Sequence, residues 1–235
     1  MIEIILYLIV PSVVLIITSV LANWIVPGVK VRSALQHLAA GIIFALIATE
    51  VVPELLAGSH IGTMVIGYIL GIVFILGVRL LDNKTGAESR SRGWIGLATT
   101  GSVDLLIDGF LMGVAFSISH ASGILLTIAI AFEVLFLGFT FSVSFAGKGL
   151  QKLSIFLILC FMAILVFLGG VLGYWILGVL EPNWQVAAMA FGAVALLYLV
   201  TEELLVEAHE EGETSFGPLL LFIGFGGMIV VAMVV

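Results

Sequence analysis

The chain has 235 residues, 62% of them hydrophobic and only 10% charged, and its mean hydropathy of +1.34 excludes a soluble globular domain. A net charge of −7 accompanies this, with no call for nucleic acid as a partner. The single cysteine, Cys160, excludes an internal disulfide and a cysteine-based zinc site.

Runs of 20 or more apolar residues without strand-like alternation predict an all-α polytopic membrane protein rather than a β-barrel. Eight transmembrane helices are expected, at about 4–26, 34–57, 61–81, 94–118, 121–146, 153–178, 184–206 and 216–235. The first begins with Glu3 and is too long for the apolar core of a cleavable signal, so it is read as a retained span. The connections are short. The longest is D-N-K-T-G-A-E-S-R-S-R-G (82–93), and the most acidic is A-H-E-E-G-E-T-S after span 7. No separate soluble domain fits, so 1–235 is one transmembrane domain and any activity lies within the bundle.

All eight basic residues, Lys30, Arg32, Arg79, Lys84, Arg90, Arg92, Lys148 and Lys152, fall in the loops after spans 1, 3 and 5 or, for Arg79, in the last turn of span 3. With eight spans they share one side, which the positive-inside rule makes cytoplasmic. Both termini then face outward from a multi-pass protein of the cell membrane. Trp24, Trp94, Trp175 and Trp184 stand near span ends, as interfacial anchors do.

Span 2 contains A-L-I-A-T-E-V-V-P-E-L-L and span 7 contains L-L-Y-L-V-T-E-E-L-L-V-E, running in opposite directions through the bilayer. The echo predicts that spans 1–3 and 6–8 are inverted repeats flanking spans 4 and 5, a 3+2+3 plan recurrent among transporters.

Chemistry concentrates in spans 4 and 5. Asp104 and Asp108 are four residues apart and share one helix face. A charge at mid-membrane costs roughly 2.5–3.5 kcal/mol on the insertion scale, so two on one face call for a compensating cation, protons or water. Span 5 carries Glu133. Counting from the tight turn between the spans at about 1.5 Å per residue, Asp104 is level with Glu133 and Asp108 about one turn away. Three carboxylates can therefore converge, and together they cannot stay fully ionised and empty: they hold a cation or protons. Glu50, in the outer half of span 2, is a candidate fourth ligand or entrance residue. Met112, one turn beyond Asp108, is a candidate soft ligand, although Met at helical spacing usually packs. Glu202, Glu203, Glu207 and His209 at the inner end of span 7 suit either cation release or plain solvation. Gly109, Gly113 and Gly138 offer close helix approach.

Spans 4 and 5 resemble the ZIP (Zrt/Irt-like protein) family of divalent metal transporters, whose span 4 carries H-N-x-x-D-G or H-N-x-x-E-G and whose span 5 carries motifs such as H-N-I-P-E-G. Here span 4 reads D-L-L-I-D-G-F-L-M-G, with Asp108-Gly109 at the acid-glycine pair and Asp104 at the histidine. Span 5 reads A-I-A-F-E-V-L-F-L-G. Aligning Gly138 with the last glycine puts Glu133 at the first histidine and Val134, Phe136 and Leu137 at the Asn, Pro and Glu. A shift of one residue would move Glu133 to the second motif position. The P-E-L-L of span 2 and the V-T-E-E-L-L-V-E-A-H of span 7 also look like the family.

The resemblance implies a carrier moving divalent metal (Zn, Mn, Fe or Cd) toward the cytoplasm by alternating access, with no cofactor and no enzymatic activity. It implies Asp104, Asp108 and Glu133 as one metal position. The family's second position maps onto Leu105, Val134 and no acid on span 6, and its bridging acid onto Leu137, so a single oxygen-only site is expected. Hard oxygen ligands shift preference toward Mn, Mg and Ca relative to Zn. The alternative is a proton-linked carrier or sensor of the same fold that transports no metal. Metal ions, protons and the lipid bilayer are the expected partners, with a homodimer left open.

Overall fold

A computed structural model describes residues 2–22, 24, 28–57, 60–92, 94–210 and 216–234. Every element among them is helical. They are α1 (Ile2–Leu21), α2 (Val29–Leu46), a π-turn (Ile47–Val51) continuing into α3 (Val52–Ala57), and α4 (Ile61–Arg92). There follow α5 (Trp94–Ile118), α6 (His120–Gly147), α7 (Lys152–Gly178), α8 (Pro182–Tyr198), a second π-turn (Leu199–Leu204) continuing into α9 (Leu205–Glu210), and α10 (Gly217–Ala232).

A helix occupies each of the eight stretches expected from hydropathy. Six described segments are long and apolar enough to cross a membrane: Glu3–Leu21, Lys30–Ala57, Trp94–Ser117, His120–Gly147, Lys152–Gly178 and Asn183–Glu202. Ile61–Gly77 and Gly217–Ala232 are apolar but shorter. The 16 residues of α10 rise only about 24 Å, against a hydrocarbon core of about 30 Å. Among the described residues, six of the eight expected spans therefore have the length to cross a membrane, and two fall short of it.

Two boundaries differ from the expectation. The first helix stops at Leu21 rather than near 26; residues 23 and 25–27 lie outside the described residues. The stretch 82–93, expected as a loop, is helical through Arg92. It contains no proline, and Lys84, Ala87, Glu88, Arg90 and Arg92 are good helix formers, so nothing in it stops α4. The acidic segment 211–215 lies outside the described residues.

Backbone-to-backbone packing holds the bundle. A Cβ on Gly109 would meet the Val166 carbonyl, and one on Gly113 the Gly170 carbonyl; Gly169 and Gly173 face the Leu106 and Phe110 carbonyls in return. These two glycine pairs, each spaced by four, let α5 and α7 touch along their backbones. Without water to drive helices together, such close van der Waals contact is the main attraction between membrane helices. Gly41 of α2 meets Leu221 of α10, Gly224 of α10 meets Leu38 of α2, and Gly67 of α4 meets the Ala187 backbone of α8. Ser12 of α1 donates to the Ala163 carbonyl of α7 (2.7 Å).

The ends of the bundle are tied by polar contacts. At one, the Glu3 carboxylate lies 3.7 Å from His120 at the α5–α6 turn. At the other, Ser33 of α2 donates to the Ala208 carbonyl of α9 (2.8 Å), and the rings of His37 and His209 meet tilted at 55°, with centroids 5.3 Å apart. Trp24, Trp94, Trp175 and Trp184 are all exposed, and all lie at helix ends. The large apolar residues left exposed on α1, α4, α7 and α10 form a surface suited to lipid.

Candidate metal centre

The centre is built on α5 and α6. These helices are joined by a single residue, Ser119, so they run antiparallel side by side. Asp104 and Asp108 occupy successive turns of α5, and Gly109, beside Asp108 in sequence, lies against α7. The α5–α7 contact thus fixes the rotation of α5 and turns its acids away from α7. On α6, Glu133 lies among fully buried neighbours, with Ile130, Val134 and Phe136 all sealed from solvent.

One carboxylate oxygen from each of Asp104, Asp108 and Glu133 lies within 4.8 Å of the others. Asp108 is 3% exposed and Glu133 1%, while Asp104 is half-buried. Oxygens about 2.0–2.6 Å from a common cation are separated by distances of this order, so only small side-chain adjustments would close them on one ion. The ligand set is all oxygen.

Asp104 and Asp108 also line a cavity of about 60 Å³ between α5, α4 and α8, walled by Phe74, Ile75, Leu196 and Tyr198 among others. That volume holds a few waters. A second cavity, of about 40 Å³, lies toward the α5–α6 turn. Its polar side chains are Glu50 and Ser122, and the rest of its wall is apolar. Leu111 and Leu196 belong to both walls. They form the partition between the two cavities.

Glu50 does not join the three-carboxylate cluster. It sits in the π-turn of Ile47–Val51, and its carboxylate accepts a hydrogen bond from Ser122 Oγ (2.6 Å). Met112 is fully buried in the main apolar core and lines neither cavity. Leu105 and Val134 are also fully buried in that core, and Leu137 packs against it.

Two features escaped sequence reasoning. Arg79 of α4 donates to the Glu202 carboxylate and lies over the Tyr198 ring, 5.1 Å from its centroid. The other is the buried Ser122, a residue type with no distinctive pattern in an apolar helix. A basic residue in the last turn of an apolar span reads as a topology signal, so the cross-helix pairing of Arg79 left no trace in the sequence. Compared with protein-family models and with curated proteins, the chain matches none.

Proposed function

We propose that this chain is a ZIP-like carrier that moves a divalent metal ion, Zn, Mn or Fe, toward the cytoplasm by alternating access through one carboxylate site. The observation that carries this reading is the convergence of Asp104, Asp108 and Glu133, with oxygens within 4.8 Å, inside an apolar helical bundle. Each isolated charge at such depth costs roughly 2.5–3.5 kcal/mol on the insertion scale. A divalent ion cancels two of the three charges, and a proton or water handles the third. The oxygen-only donor set favours hard ions such as Mn over Zn, with availability able to reverse the order.

In this reading all eight helices cross the bilayer, α4 and α10 with local thinning or help from flanking residues. The basic residues mark the cytoplasmic side, and both termini lie outside. The segments α1–α4 and α7–α10 form an inverted repeat around α5 and α6. Two observations support the repeat: the Thr-Glu pairs of both halves lie in π-turns, and α2 packs on α10 as α8 packs on α4. The Asp104–Asp108 cavity then lies on the cytoplasmic side of the Leu111–Leu196 partition and the Glu50 cavity on the outer side. Carboxylates bordering a cavity on one side of a closed partition suit a carrier resting in its inward state.

The test is Zn²⁺ and Mn²⁺ uptake by purified protein in proteoliposomes. Wild type is expected to show saturable uptake of at least one ion, and Asp108→Ala to fall to the level of protein-free vesicles. Equal uptake by wild type and Asp108→Ala overturns the site assignment.

A further inference from the structure

The glycine contact between α5 and α7 covers only part of their length, from Leu106 to Val114 on one and from Val166 to Tyr174 on the other. Nearer the N-termini, Gly101 of α5 faces the Phe141 ring of α6 instead, and a groove of about 460 Å³ opens on the surface between α5 and α7. That volume lies within the range of about 300–1,000 Å³ usual for ligand sites. Trp94, Ala98 and Ser102 line it from α5, and Leu157, Ile158 and Phe161 from α7. Leu157 and Phe161 are 58% and 56% exposed, so nothing in the chain covers the groove. Thr99 is also on its wall, but its hydroxyl donates to the Ile95 carbonyl one turn back (2.9 Å). The wall is almost wholly apolar and suits a hydrocarbon chain.

Positive charge collects at one end of this groove. Trp94 is the first residue of α5 and Lys152 the first of α7. The register of the glycine contacts, 109 with 166 and 113 with 170, carried back to the N-termini, sets Lys152 about level with Trp94. Lys148 stands four residues earlier, at the end of α6, and both lysines are exposed. Neither α5 nor α7 has an acid in its first turn, and α7 has none along its length.

We propose that this groove binds one anionic phospholipid, with an acyl chain lying along α5 and α7 and the phosphate headgroup against Lys148 and Lys152. The inference goes beyond the carrier reading and does not depend on it; it requires only that the bundle sits in a bilayer. Basic residues at the mouth of a space between membrane helices recognise anionic headgroups, and a tryptophan at that height belongs to the headgroup layer. The dimensions agree. From Trp94 to Ser102 the helix rises about 12 Å, close to the 15 Å or so of hydrocarbon in one leaflet. A zwitterionic lipid offers the same chain, but its headgroup carries an ammonium of its own that opposes the lysines. A second copy of the chain fits less well, because in a two-fold dimer within one membrane both basic ends lie on the same side and their lysines repel.

The experiment titrates the full chain in detergent with phosphatidylglycerol, with phosphatidylcholine of the same acyl chains, and with inorganic phosphate. Native mass spectrometry counts bound lipid, and the thermal midpoint is read in parallel. Wild type is expected to hold one phosphatidylglycerol at least about 10-fold more tightly than phosphatidylcholine, a preference that shrinks as salt is raised. The double variant Lys148→Gln, Lys152→Gln should lose that preference while keeping its affinity for phosphatidylcholine; Lys152→Gln alone, expected to lose part of it, serves if the double variant does not fold. Thr99→Phe, at an exposed position on the wall, should fill the groove and weaken both lipids alike. Equal affinity of wild type for the two lipids, or a preference that survives the lysine changes, overturns the site and leaves only the general lipid coat. Equal stabilisation by inorganic phosphate would mean an anion site without the groove, and a dimer lost in Thr99→Phe but indifferent to lipid would give the groove to a second copy; either result overturns the proposal.

Discussion

Asp108 and Glu133 are nearly sealed from solvent, and with Asp104 they crowd three carboxylate groups into a space of 4.8 Å. With neither a cation nor a proton bound, their mutual repulsion and desolvation oppose folding; with a cation, the same geometry becomes a source of stability. Asp108→Asn should therefore raise the thermal midpoint of metal-free protein and abolish the further rise that Mn²⁺ or Zn²⁺ produces in wild type. Differential thermal unfolding in detergent, with chelator and with metal, measures both. A variant less stable than wild type in chelator would mean that Asp108 holds structure through hydrogen bonds rather than awaiting an ion. Part of this site is legible in the sequence, because acids in apolar helices stand out and a four-residue spacing places two on one face. The different fates of Glu50 and Met112 are not legible. Both lie within one or two turns of the expected site depth, and only the rotation of their helices sends one to a separate cavity and the other into the core.

The glycines of α5 and α7 act in register. Those of α5 receive carbonyls of α7, and those of α7 receive carbonyls of α5, so any added side chain forces the pair apart. Gly109→Val should destabilise the protein by about 1–3 kcal/mol, the usual cost of overpacking. It should also weaken metal-dependent stabilisation, since the same contact sets the rotation of Asp108. Gly226→Ala on α10 is the control: a Cβ there meets nothing within 4 Å, and its effect should be neutral or slightly favourable. Comparing the thermal midpoints and metal shifts of the two variants checks both expectations, and equal effects would show that the α5–α7 contact carries no special weight. A second lesson comes from α4. The charged stretch 82–92 reads as a loop by polarity but continues as helix, because polarity decides solvent exposure whereas helix propensity decides backbone conformation.

For the molecule as a whole, the carrier reading demands a fixed orientation. In a Cys160→Ala background, His60→Cys should react with a membrane-impermeant thiol reagent added outside intact cells, and Lys148→Cys should react only after permeabilisation. Both positions are exposed and lie at helix ends. The reverse pattern would invert the topology, and labelling of both from one side would remove a span between them. The membrane class, the run of helices, and the level placement of Asp104 with Glu133 were determined by the sequence alone. They depend on local quantities: hydropathy over a helix length, a period of 3.6 and the residue count from a tight turn. Only the tertiary structure decided that the echoed Thr-Glu pairs become π-turns, that Glu202 meets Arg79 while Glu50 meets Ser122, and that Leu111 and Leu196 divide two cavities. Those outcomes depend on how helices distant in the chain rotate and seat their glycines against one another, and no periodicity within a single helix encodes its partner.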